Sequence, residues 1–387
     1  MKRKILKVLS YVLVALLSVA LTLTAVVLLR PKEGNTKLNQ VEAIIDTYFI
    51  EDPDMEAVRD AAADAMIESL GDRWSYYMTA AEYADYKERM ANSYVGIGVT
   101  VELDPMARGA KVIQVAAGGG AEEAGILPGD IITKVGDENC ANLELNDISQ
   151  MIKGAEKTKV ELTVIRGEET VQLSVERRRI ETEVATAQLL TGNIGLVTIV
   201  NFDARCYDET IEAIESLLDQ GAEKLIFDVR NNPGGYKREL VKILNYLLPE
   251  GLLFRSEYYD GTVYDDKSDA KCLEMPMAVL INGDSYSAAE FFAAAIKEYE
   301  KGFIAGSQTC GKGYFQITIR LKDGSAVGLS VGKYFTPKGV SLAEVGGITP
   351  DVVVDVDDET FNAIYAGTLD PMEDPQIQAA LERILGK

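Results

Sequence analysis

The chain has no histidine among its 387 residues. A Ser-His-Asp triad cannot be assembled within it, so any nucleophile must be served by a carboxylate or by a lysine of depressed pKa. Cysteine is scarce as well. The four cysteines, at 140, 206, 272 and 310, have neither the pairing of a disulfide framework nor the spacing of a metal site, and free thiols are expected. Positive charge is the third shortage: Lys and Arg number 39 against 61 Asp and Glu, a net −22, and since the first 32 residues hold six positives and no acid, the remainder stands at −28. A surface of that sign argues against nucleic acid as a partner.

What positive charge there is gathers at the start. MKRKILK precedes an uncharged apolar run over residues 8–29, closed by Arg30. As a helix those 22 residues would span about 33 Å, close to the ~30 Å hydrocarbon core, and Lys2, Arg3, Lys4 and Lys7 orient the start to the cytosol. The expectation is a single membrane anchor, with everything after Arg30 exported. The alternative, a signal peptide cleaved after Ser18-Val19-Ala20, fits less well because the apolar run continues for nine residues beyond Ala20.

The chemistry gathers in residues 283–316, GDSYSAAEFFAAAIKEYEKGFIAGSQTCGKGYFQ. Ser287 falls between an apolar run and a helix-forming segment, which predicts a hydroxyl at a strand-to-helix junction. The first N–H groups of a helix lack internal partners and carry the positive end of its dipole, so the Ala288 N–H can face a developing oxyanion. Lys312 is flanked by Gly311 and Gly313 and followed by an alternating pattern. With a period of two, Lys312, Tyr314 and Gln316 would share one strand face, so that Gln316 holds the amine while burial frees its lone pair for the Ser287 proton. Glu290, three residues into the helix, suits the dipole and is a candidate ligand for the neighbouring loop.

The S-x-S-A-x-E run at 285–290 and the T-x-G-K-G-x-x-Q run at 309–316 resemble the Ser-Lys core of the C-terminal processing (tail-specific) peptidases. The resemblance implies Ser287 as nucleophile, Lys312 as general base and Gln316 as its orienting partner. Tyr286, Ala289 and Cys310 depart from the family's usual residues without removing a reacting group. DVRNNPGG at 228–235 is similar to the family's D-x-R-x-N-x-G-G element, which implies that Gly234 or Gly235 supplies a second oxyanion donor beside Ala288, with Arg230 as a structural anchor. Upstream, Gly96-Ile97-Gly98-Val99, AEEAGIL at 121–127 and GDII at 129–132 resemble a circularly permuted PDZ domain. By that resemblance Gly96, Ile97, Gly98 and Val99 form the carboxylate-binding loop, and Lys153 closes the short helix where it would sense a peptide carboxylate.

The coarse reading is a multidomain α/β chain: a cytosolic stub and membrane helix at 1–34, a helical region at 35–92, a PDZ β-module at 93–180, and an α/β peptidase core at 181–387 that the resemblance makes crotonase/ClpP-like, ending in a helix. Leu38, Val41, Ile45 and Tyr48 form one apolar stripe and Val58, Ala62, Met66 and Leu70 another; the resemblance implies a second copy of the chain, a homodimer, at this region. The buried apolar strand at 225–229 argues parallel pairing, and Asp323-Gly324 a hairpin. Two look-alikes fail. Residues 306–313 approach a phosphate loop, but Gly313 stands where Ser or Thr must hold Mg²⁺, and Ser268-Asp269-Ala270-Lys271 fits S-x-x-K in a chain without K-T-G. No metal, nucleotide or cofactor is implied; the expected ligand is a protein or peptide C-terminal tail. Two rival readings are a catalytically silent, membrane-tethered PDZ scaffold and a Ser-Lys hydrolase of non-peptide esters.

Overall fold

The computed structural model describes residues 36–104, 106 and 109–386, together with residue 18. Apart from that one residue the expected anchor at 8–29 lies outside them, and among the described residues no helix is long and apolar enough to cross a membrane. By its contacts the chain divides into two compact units, one ending at Leu70 and one beginning at Gly71.

The first unit contains α1 (Lys37–Tyr48) and α2 (Met55–Glu68). Each starts where a side chain captures orphan N–H groups: Thr36 accepts from Asn39, and Asp54 from Glu56 and Ala57. Arg59 pairs with Glu42 between the helices. Of the expected stripes, Leu38, Val41, Tyr48, Met66 and Leu70 stand exposed.

The second unit opens with β1 (Tyr76–Met78), α3 (Ala80–Met90), started by a Thr79–Glu82 capping box, and β2 (Ser93–Gly96). A β-module follows: β3 (Val99–Asp104), β4 (Gly109–Val115), α4 (Gly120–Glu123), β5 (Ile131–Val135), β6 (Glu138–Asn139), α5 (Leu145–Ile152), β7 (Lys159–Arg166) and β8 (Glu169–Glu176). Its sheet runs β3-β4-β5-β7-β8 with β6 against β5. Val160, Leu162 and Val164 alternate inward from β7, and α5 lays Ile148 and Ile152 on the same core. A final strand, β9 (Arg178–Glu181), pairs back onto β2.

The remainder supplies β10 (Ala185–Leu190), β11 (Ile194–Ile199), α6 (Cys206–Asp219), β12 (Lys224–Asp228), α7 (Lys237–Leu247), β13 (Gly251–Tyr258), β14 (Val263–Ser268), β15 (Met277–Ile281), α8 (Ala288–Glu298), β16 (Gly302–Gly306), β17 (Tyr314–Arg320), β18 (Ala326–Phe335), α9 (Leu342–Val345), β19 (Val352–Val353), α10 (Asp358–Tyr365) and α11 (Pro375–Ile384). The main sheet runs β10-β11-β12-β15-β16-β19, parallel except for β10. Both faces are covered, which is why its strands read as unbroken apolar runs. Leu225, Phe227, Val279 and Ile281 point to the side of α6, α7 and α8, while Ile226, Ala278 and Leu280 point to Ile377, Ala380 and Leu381 of α11. Each fully buried Leu, Ile or Phe contributes about 1.5–3 kcal/mol of burial. A second sheet, β1-β18-β13-β14 with β17 on β18, contains the expected hairpin, turning where Gly324 takes φ +105°.

Candidate active site

Parallel strands aligned side by side present their carboxyl ends, and the loops leaving them, along one edge. β12 and β15 are direct neighbours, so the loop over 229–235 and the loop over 282–286 lie together. They are tied to each other. The Asn231 N–H donates to Asn282 Oδ1 at 2.9 Å, Asn282 Nδ2 donates back to Asn231 Oδ1 at 2.7 Å, the Tyr286 N–H donates to the Asn232 carbonyl at 2.9 Å, and Ser285 Oγ donates to the Val229 carbonyl at 2.8 Å.

This net holds Ser287 at φ 52°, ψ −114°, a backbone region that costs a side-chain-bearing residue about 1–3 kcal/mol, at the mouth of α8 as the sequence predicts. Gly234, φ +90°, packs against it so closely that a Cβ there would stand 3.0 Å from Ser287 Cβ and 3.0 Å from the Ala288 nitrogen. Of the two glycines named from the sequence, Gly234 has its N–H engaged by Asn232 Oδ1 at 2.8 Å. The bonds from Phe202 N to the Gly234 carbonyl and from Tyr236 N to the Phe202 carbonyl straddle Gly235. Among the described residues the N–H groups of Gly235 and Ala288 make no hydrogen bond.

Glu290 joins the two halves of the site. Its carboxylate, fully buried, accepts the N–H of Ser287 at 2.8 Å, of Lys312 at 2.8 Å and of Gly311 at 2.7 Å, and the hydroxyl of Thr309 at 2.6 Å. The sequence expectation of a loop ligand thus understates this residue.

Lys312 is displaced from its expected setting. β17 begins only at Tyr314, and a register shift between Phe315 and Gln316 breaks the two-residue alternation. The cause is steric: Gly311, φ +82°, packs on Gly346 and Gly347, and a Cβ on Gly313 would meet the Ala343 nitrogen at 2.7 Å, so the chain must turn before it can pair. Gln316 Nε2 donates to the Tyr314 carbonyl at 3.3 Å and to Ser330 Oγ at 3.1 Å. Among the described residues no hydrogen bond joins the Lys312 amine to Ser287 Oγ or to Gln316. The amine lies 4.8 Å from the ring centre of Trp74, and burial holds its pKa below the usual lysine value, against the raising influence of Cys310, Glu290 and Asp72.

A cleft of about 1360 Å³ has Gly234, Gly235, Ser287, Ala288, Lys312 and Gln316 in its wall, and Lys153 as well. The loop Gly96-Ile97-Gly98-Val99 is outside that wall; Ile97 is buried in the β-module core, its carbonyl accepting the Ala121 N–H at 2.8 Å. Arg230 is an anchor as expected, paired with Asp228 at 2.6 Å and Asp374 at 2.7 Å and bonded to Gln376 Oε1 at 2.9 Å. Three residues of the site have no role assigned from the sequence. Asn232 was within reach, since an Asn two residues before a glycine invites a side-chain turn. Trp74 and Asp203 carry no local signal. Asp203, 7% exposed on the cleft wall, has an Oδ1 without hydrogen bond, and burial pushes its carboxyl up to about 7. The described cysteines are free thiols.

Residues 193–354 match the model of Peptidase family S41, and residues 111–166 that of a PDZ domain. A protein of Staphylococcus aureus described as "Probable CtpA-like serine protease" is 32% identical over 331 residues, which is 84% of this chain and 66% of that one; a Staphylococcus saprophyticus protein of the same description is 31% identical over 81% and 64%. The chain thus spans about two thirds of the length of the curated relatives it matches. Among solved structures, an S41 protease from Bacteroides fragilis superposes with a TM-score of 0.53 at 15% identity, covering 90% of this chain and 97% of that one, a likeness of fold. The photosystem II D1 C-terminal processing protease gives a TM-score of 0.48 at 28% identity over 82% and 86%. This α/β chain, with its PDZ module, belongs to peptidase family S41.

Proposed function

We propose that the chain is a serine endopeptidase of the C-terminal processing type, acting near the tails of exported or membrane-associated proteins. One observation carries this: a hydroxyl at a helix mouth, two unpaired N–H groups and a half-buried lysine converge on one cleft. The neutral Lys312 amine takes the Ser287 proton as Oγ attacks the scissile carbonyl carbon. The N–H groups of Ala288 and Gly235 receive the oxyanion, Gly234 being occupied. Lys312 then gives the proton to the leaving amine, and water, deprotonated by Lys312, hydrolyses the acyl-enzyme. Gln316 orients the amine by exchanging Ser330 for Lys312.

The tail is captured by Gly96, Ile97, Gly98 and Val99 as an added strand, and Lys153 meets it from the cleft wall. In this reading residues 1–34 anchor the chain, 35–92 are a helical region where a second copy packs, 93–180 the PDZ domain and 181–387 a crotonase/ClpP-like core, all beyond the anchor being extracytoplasmic. A second reading, a tail-binding scaffold without turnover, draws on the bonds Gln316 makes to Ser330 and Tyr314 instead of to Lys312.

Incubating the purified protein with an unfolded polypeptide bearing a matched tail, in parallel with simple esters, and reading product masses separates these. Peptide products that vanish in Ser287→Ala and Lys312→Ala while tail binding persists support the peptidase. Products from esters alone, or none at all, reject it. Because the Lys312 pKa is lowered and its neutral form is the base, kcat/KM is expected to rise with pH through that pKa; a flat profile with chemistry rate-limiting rejects the base assignment.

A further inference from the structure

The amine of Lys312 is approached by a segment far away in the chain. The only tryptophan, Trp74, lies 4.8 Å from it, and the same indole carries the Arg73 guanidinium at 4.2 Å. The segment is built into place. Asp72 accepts the Trp74 N–H at 3.2 Å and the Ser75 hydroxyl at 2.5 Å, and Ser75 Oγ accepts the Ser330 N–H at 3.1 Å. Ser330 in turn is the residue to which Gln316 donates. Immediately beyond, Tyr76 and Met78 pair with Gly328 and Ala326. The loop before β1 is therefore registered against β18, the strand to which Gln316 bonds.

Resting on the reading of Lys312 as general base, we propose that Trp74 is a positioning residue for it, its indole shielding the amine from water and holding it beside the cleft. The charged and titratable groups around the amine are Cys310, Glu290, Asp72 and Arg73. The first three favour the ammonium, while Arg73 opposes it and burial opposes it more strongly. An indole does both: it excludes water, favouring the neutral amine, and attracts the ammonium through its ring face. Desolvation can move a lysine by several pH units, whereas the ring's attraction corresponds to about one, so the shielding decides the sign.

The test follows from the single indole. In full-length protein carrying Ser287→Ala, loss of a unit charge from beside the ring shifts Trp74 emission, and this emission is expected to titrate with the midpoint of the wild-type kcat/KM limb. Lys312→Met should abolish the titration and Cys310→Ala should leave it. Trp74→Ala should move the rate limb upward by on the order of one pH unit, about tenfold in rate at neutral pH, with recovery at alkaline pH. Trp74→Phe, which keeps a ring, should move it less, and covers the case in which the alanine variant does not fold. An emission that stays flat, a titration surviving Lys312→Met, or a Trp74→Phe and Trp74→Ala rate loss equal at every pH overturns the proposal. Emission that titrates through Lys312 while the rate ignores the same midpoint supports the shielding role and rejects Lys312 as base, so the two failures are distinguishable.

Discussion

The loops that present Ser287 are bound to one another by reciprocal asparagine amides and main-chain bonds, and the serine is forced into a backbone region it would not choose. Lys312, by contrast, is fixed through its N–H to Glu290, but its amine rests on an aromatic face and Gln316 bonds elsewhere. Buried directional networks specify one arrangement, whereas a cation on a ring tolerates sliding and rotamer change at small cost. The difference teaches that Ser287 and the N–H groups of Gly235 and Ala288 are preset, and that the Lys312 amine is the adjustable partner.

Arg230→Met breaks the preset arm from below. Asp228 and Asp374 are left buried without their cation, and thermal or denaturant unfolding should register a loss of about 3–5 kcal/mol. Glu290→Gln tests the tie between the arms. The amide cannot accept all four donors, so a loss of about 2–3 kcal/mol is expected, together with on the order of a 10²-fold fall in kcat/KM from misplacement of Ser287 relative to Lys312. An unchanged rate would mean that the Lys312 amine finds its position independently of that carboxylate.

The smallest effect sharpens the comparison by removing the one imperfection of the preset arm. Asp203, with its pKa raised by burial to about 7, keeps its proton in the folded chain while the unfolded chain loses it near the usual carboxylate value. Wild-type stability should therefore fall as pH rises between those two values. Asp203→Asn should be more stable than wild type above pH 7, on the order of 2 kcal/mol, with the gain vanishing near pH 4. Melting temperatures at the two pH values check this.

Much of the Ser287 arm is legible in the sequence because its logic is local. An apolar run, Ser287, then a helix-forming segment specify the junction, and paired glycines after Asn232 specify a loop that approaches closely. The Lys312 arm is less legible. Alternation predicts Lys312 on a strand, but the turn is imposed by Gly346, Gly347 and Ala343, residues whose proximity no periodicity encodes. Trp74 is more remote still, brought to Lys312 only by pairing of β1 with β18. That the Gly234 N–H is engaged while the Gly235 N–H is not depends on one side-chain amide, which spacing cannot express.

Arg230 draws its second carboxylate from Asp374 and a further bond from Gln376, both at the start of α11, whose apolar residues also cover the far face of the main sheet. Ribosomal synthesis delivers this helix after every other element described. The loop over 229–235 therefore rests on a support that arrives 146 residues further along the chain, so a lesion at the start of α11 should be felt beneath that loop although it lies far from it in sequence.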